Sequence, residues 1–138
     1  YSLWEMASKE NTEVTVFEHD AYLVGPIPDP LFYYGCVNLG APSYGKWIQP
    51  SWIGVGPLIS KPYFPGAHAY RLNKTGADLL IHGIPNAKPT DVYLNKHWFP
   101  WLEEYNPWPV LCKDTFTTIQ KEEGCLAKHN WSDEYEII

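Results

Sequence analysis

Apolar and polar positions alternate with period two over Glu13–Glu18, E-V-T-V-F-E, a run rich in β-branched residues. That pattern predicts a strand with Val14 and Val16 on one face and Thr15 and Phe17 on the other. His19-Asp20 reads as a turn into a second strand, Ala21–Val24, closed by Gly25-Pro26. Ahead of these, residues 1–12 form a short helical or irregular lead whose Leu3, Trp4 and Met6 are placed to dock on the rest of the chain.

From Gly25 to Gly66 no helical period survives, because eight prolines and seven glycines interrupt it. The tyrosines and tryptophans between them argue for ordered, extended chain rather than a solvated linker, with short strands at 31–34, 46–48, 51–55 and 63–64. It wraps either the domain's own core or a neighbouring subunit. Residues 67–72 and 78–82 flank Asn73-Lys74-Thr75-Gly76, a sequence suited to a type I turn with Gly76 in the left-handed position. This predicts a hairpin over 67–83 that sets His68 opposite His82. Thr90-Asp91 resembles a helix start running toward 98, and Asp114–Glu123 carries Phe116, Ile119 and Gln120 at helical spacing before Gly124.

The densest aromatic stretch is His97–Pro109, H-W-F-P-W-L-E-E-Y-N-P-W-P. Pro100, Pro107 and Pro109 exclude a continuous helix, and at most Pro100 opens a short turn that sets Trp101 and Tyr105 on one face. Each aromatic ring can bury roughly 150–250 Å². Trp98, Trp101, Tyr105 and Trp108 are therefore the candidate binding residues, with Trp101 and Tyr105 expected inside beside Phe99, and Trp98 or Trp108 outside. The same rings admit three uses: core filling, a protein-binding face, or a platform on which a sugar stacks.

The fold these elements describe is mainly β: a small antiparallel sandwich or open sheet with long Pro/Gly-rich loops and one or two short helices, near 90–98 and 114–123. A length of 138 residues corresponds to a single domain over 1–138.

Charge narrows the function classes. The net charge is −6, only 19% of residues are charged and Arg71 is the sole arginine, so no basic face is available for nucleic acid. No hydrophobic run reaches the ~18 residues that span a bilayer. Three cysteines allow one internal disulfide. If the 114–123 helix forms, it holds Cys112 and Cys125 too far apart to pair, which makes Cys36 the partner of one or the other.

No nucleophile, phosphate-loop or cofactor motif is present, and no cofactor is expected. His68 and His82 are weak candidates for a metal, with Asp78 the nearest third ligand, but a zinc site needs three or four protein ligands. Glu103 and Glu104 stand beside tryptophans, as carboxylates do in sugar-processing sites, yet adjacent residues diverge and do not flank one glycosidic bond. Glu103 and His97 are the least poor catalytic pair. Sequons at Asn73 and Asn130 mark candidate glycosylation sites.

Glu13–Asp29, E-V-T-V-F-E-H-D-A-Y-L-V-G-P-I-P-D, is similar to the first strands of retroviral surface glycoproteins. The similarity contains no diagnostic motif, and the chain departs from that family in having too few cysteines after it. The expected function is a non-enzymatic recognition domain that binds another protein through an aromatic, Pro-rich surface, in a secreted or surface glycoprotein. The alternatives are an accessory subunit wrapping a larger assembly, in an organelle, and a hydrolase acting on carbohydrate.

Overall fold

The structure is a computed structural model and describes residues 1–65, 67–83 and 88–113. In chain order the elements are α1 (Ser2–Glu10), β1 (Val14–Phe17), β2 (Ala21–Leu23), β3 (Cys36–Asn38), β4 (Gly54–Pro57), β5 (Ala69–Leu72), α2 (Lys74–Gly83), α3 (Thr90–Tyr93), β6 (Glu103–Asn106) and β7 (Val110–Cys112). The strands form an open five-stranded sheet, β1-β5-β3-β6-β4, and a two-stranded sheet, β2-β7. All pairings are antiparallel except β3 with β6.

The alternation read over Glu13–Glu18 is realised in β1. Its register sets Val14 opposite Leu72 and Val16 opposite Tyr70, and β3 continues that face with Cys36 opposite Leu72. On this side lies the larger core, where Trp4 and Ala7 of α1 meet Ala77 and Leu80 of α2, Tyr93, Phe99 and Leu102. The other face carries Val37 and Ala69, which join Leu39 and Val110 in a smaller cluster, with Ile27, Leu31, Tyr33, Val55 and Tyr105 packed against it. Only Trp4 of the three docking residues expected in the lead is buried; Leu3 and Met6 face outward from α1.

The hairpin expected over 67–83 does not form. β5 pairs with β1 on one side and β3 on the other, and residues 74–83 are helical. Asn73 is the reason. Its Oδ1 accepts the Gly76 N–H at 3.0 Å and its carbonyl accepts the Ala77 N–H at 2.9 Å, which satisfies the first turn of a helix rather than a turn between strands. Gly76 is needed for closeness and not for a left-handed backbone, since a Cβ there would stand 2.0 Å from the Gly35 carbonyl oxygen. Ala77, Leu80 and Ile81 then face the core at helical spacing.

Among the Pro/Gly-rich connections, residues 31–34 and 46–48 are not strands, the strand expected at 51–55 is displaced to β4 at Gly54–Pro57 and shares only residues 54 and 55 with it, and Tyr63 makes only an isolated bridge to Asn95. β3, β6 and β7 were not anticipated. The helix expected near 90–98 spans Thr90–Tyr93, with Pro89 ahead of it. The helix expected at 114–123 lies outside the described residues.

Candidate functional site

Six aromatic rings run from α1 to the surface. Tyr1, Trp4, Tyr93, Phe99, Trp101 and Tyr34 follow one another with centroid separations of 6.4, 5.6, 5.2, 5.8 and 6.0 Å. Trp4, Tyr93 and Phe99 are buried, Trp101 is half-buried, and Tyr34 is 58% exposed. Tyr1 at the other end is 70% exposed, so core filling is the middle of the stack and surface display its two ends. Its Tyr34 end opens into a groove of about 380 Å³ lined by Tyr34, Gly56, Pro57, Pro100, Trp101, Leu102 and Glu103.

The groove is held by backbone contacts. Glu103 Oε2 accepts the Tyr34 N–H at 2.7 Å, and Asn73 Nδ2 donates to the Tyr34 carbonyl at 3.0 Å. Tyr34 is fixed on both sides of its peptide while its ring meets Trp101 at 58°. Trp101 rests edge-on against buried Phe99 at 62°. The wall is therefore ordered before any ligand arrives.

β6 turns its two carboxylates to opposite sides. Glu104 is wholly buried, and its Oε1 accepts the Ile59 and Ser60 N–H groups at 2.8 and 2.9 Å while Oε2 accepts the Trp108 indole N–H at 3.3 Å. Three donors offset the burial of that carboxylate, and its complete burial keeps it out of reach of a ligand. Glu103 instead borders the groove. Burial raises its carboxyl above the ordinary range, and the Tyr34 N–H draws it partway back. Among the described residues the ion pairs are Arg71 with Glu13 and Lys74 with Asp78, and neither reaches Glu103.

Of the four candidate binding residues, the structure brings only Trp101 to the groove. The shared face expected for Trp101 and Tyr105 does not exist, because residues 103–106 are strand: Trp101 packs on the larger core and Tyr105 on the smaller cluster, opposite Val55. Both are half-buried rather than enclosed. Trp108 is half-buried and committed to Glu104. Trp98 is 39% exposed, with the Lys88 ammonium 5.5 Å from its ring centre, and is not part of the groove lining. Tyr34 and the Gly56-Pro57 end of β4 were missed. The signal for them, an exposed tyrosine beside a glycine that allows tight packing, is too common to single out.

The remaining candidates separate. His68 is buried at the start of β5 and packs on Gly40, whereas His82 is exposed in the last turn of α2, bonded through Nδ1 to the Asp78 carbonyl at 2.8 Å. They do not face each other. Asp78 is engaged by Ser8 and by Lys74 at 2.9 Å, and among the described residues no group of three His, Cys, Asp or Glu side chains could hold a metal ion. His97 is exposed on a turn and does not line the groove with Glu103.

Cys36 is buried, its thiol pushed well up by that burial, and no disulfide joins it to Cys112, whose thiol donates to Asp20 at 3.1 Å. Cys125 and Asn130 lie outside the described residues. Asn73 stands at the start of α2 rather than at a hairpin tip. Among the described residues no helix is long and apolar enough to cross a membrane. Compared with protein families, curated proteins and solved structures, the chain has no match.

Proposed function

We propose that the chain is a non-enzymatic recognition domain that docks another protein through the Trp101 groove. The observation that carries this reading is the end of the aromatic stack: a half-buried tryptophan supported from beneath by Phe99 and walled by an exposed tyrosine whose peptide is tied on both sides. Tryptophan and tyrosine anchors in preformed depressions dominate binding at protein interfaces. A glycosidase reading is less well supported, because among the described residues Glu103 has no second carboxylate across the groove and its neighbour is consumed inside the fold.

A photo-crosslinking residue in place of Tyr34, compared with one in place of exposed Leu3 on α1, tests the reading in the native expression host. A discrete adduct is expected from position 34, absent from position 3 and lost on Trp101→Ala. Equal adducts from both positions, or an adduct indifferent to Trp101→Ala, would overturn it.

We further propose that the domain belongs to a secreted or surface glycoprotein. Asn73 is half-exposed, and its two hydrogen bonds use Oδ1 and one N–H of Nδ2, the groups an N-linked glycan leaves in place. Intact-mass measurement before and after glycosidase treatment reports on it, with loss of the mass difference expected for Asn73→Gln.

A further inference from the structure

We infer that the groove takes a lysine or arginine side chain carried by an extended, proline-containing segment of the partner. This rests on the docking reading above and names the chemistry of what docks. The lining offers two kinds of surface. Tyr34 and Trp101 bring aromatic rings and Pro57, Pro100 and Leu102 bring apolar surface, while among the described residues Glu103 supplies the single carboxylate.

A cation placed against the rings gains from their quadrupoles. Beside Glu103 it also gains a charge-assisted hydrogen bond to the oxygen that Tyr34 does not occupy, since the backbone contact uses Oε2. The carboxylate has given up part of its hydration and has no described cationic partner, so an incoming ammonium or guanidinium neutralises a charge the fold leaves uncompensated.

Other occupants fit less well. A sugar presents many hydroxyls that require directional partners, and among the described residues the lining offers only Glu103, the Tyr34 hydroxyl and the Trp101 indole N–H to meet them. An isolated small cation would stay largely in water, because the groove is open rather than enclosing. An extended chain crosses an open groove while its prolines lie on aromatic and proline surfaces, and the polyproline conformation costs little ordering entropy. The basic residue then fixes direction and register.

The test uses the full chain and two blocked peptides, acetyl-Pro-Pro-Lys-Pro-Pro-amide and the same peptide with norleucine in place of lysine, followed by NMR at the Tyr34 amide and the Trp101 indole. The lysine peptide is expected to bind about tenfold more tightly at low salt, to lose that advantage as salt is added, and to lose it in Glu103→Gln. Equal binding of the two peptides, with both lost in Trp101→Ala, overturns the cation while leaving the docking reading intact. A lysine preference that survives Glu103→Gln also overturns the proposal, because the charge would then be read elsewhere. Binding of neither peptide overturns it too, and the crosslinking at position 34 then decides the docking reading separately.

Discussion

Glu103 and Glu104 are neighbours in sequence and opposites in circumstance. Glu104 is closed on by Ile59, Ser60 and Trp108, and its charge is fully occupied in pinning a loop and a turn to β6. Glu103 is half-buried, with one oxygen tied to the Tyr34 backbone, and faces an open groove without a cation. The difference teaches that burial by itself does not mark a functional carboxylate. The more deeply buried of the two is structural because three internal donors hold it where no ligand reaches, and the half-buried one is available because it borders the groove with one backbone donor on a single oxygen.

The sharpest way to break this comparison is to remove each carboxylate in turn. Glu104→Ala strands two backbone donors and one indole donor, at about 1–3 kcal/mol each, so a loss of roughly 3–9 kcal/mol is expected. Glu103→Ala is expected to cost about 1 kcal/mol or less. Urea unfolding of both variants checks this, and equal losses would mean that Glu103 is as structural as its neighbour.

Gly76→Ala couples the two regions. Its methyl group would meet the Gly35 carbonyl, which cannot rotate away as a side chain would, so α2 must lift from the residue that follows Tyr34. A destabilisation of about 2–3 kcal/mol is expected, accompanied by shifts of the Tyr34 amide resonance. Stability loss with an unmoved Tyr34 amide would show that the helix and the groove wall are independent.

Tyr34→Ala separates stability from recognition. The ring is mostly in solvent, so unfolding free energy should change by about 0.5 kcal/mol or less, whereas the crosslinked or peptide partner should bind about tenfold more weakly.

The smallest effects are electrostatic and have opposite slopes. The Glu103 carboxyl is raised by burial, so the folded chain binds its proton more tightly than the unfolded chain does; its contribution is fullest below the ordinary carboxylate range and is lost as pH rises through the raised value. Hydrogen bonds from Lys74 and Ser8 lower the Asp78 carboxyl, so its contribution is present above the ordinary range and is lost as pH falls. Melting temperature measured over about pH 3 to 7 should lose its acid-side decline in part in Asp78→Asn, and its decline on the rising side in part in Glu103→Gln. Unchanged profiles in both variants would sever these groups from stability.

Legibility in the sequence followed the range of the forces involved. β1 was readable down to its two faces because strict alternation is a local signal. The helix at 74–83 was not, since Asn-Lys-Thr-Gly serves a hairpin turn as well as a helix start, and the Asn73 cap is used together with the packing of Gly76 on Gly35, far back in the chain. β6 was invisible for a similar reason. Glu-Glu-Tyr-Asn is poor strand sequence, and its stability depends on donors 44 and 45 positions away. Trp101 could be nominated from composition, but the tyrosine that completes its groove is seated by a contact 69 positions distant.

The order of the five-stranded sheet also sets the sequence of events during synthesis. β1, β3 and β5 all lie within the first 72 residues, with β1 and β3 each paired to β5, so a three-stranded half-sheet is available to the growing chain early. β4, though made before β5, pairs only with β6 and has no neighbour until residues 103–106 emerge. The groove, built from the end of β4 and the start of β6, is therefore the last part of the sheet to assemble, and a nascent chain stalled before β6 presents Tyr34 and Pro57 with no pocket between them.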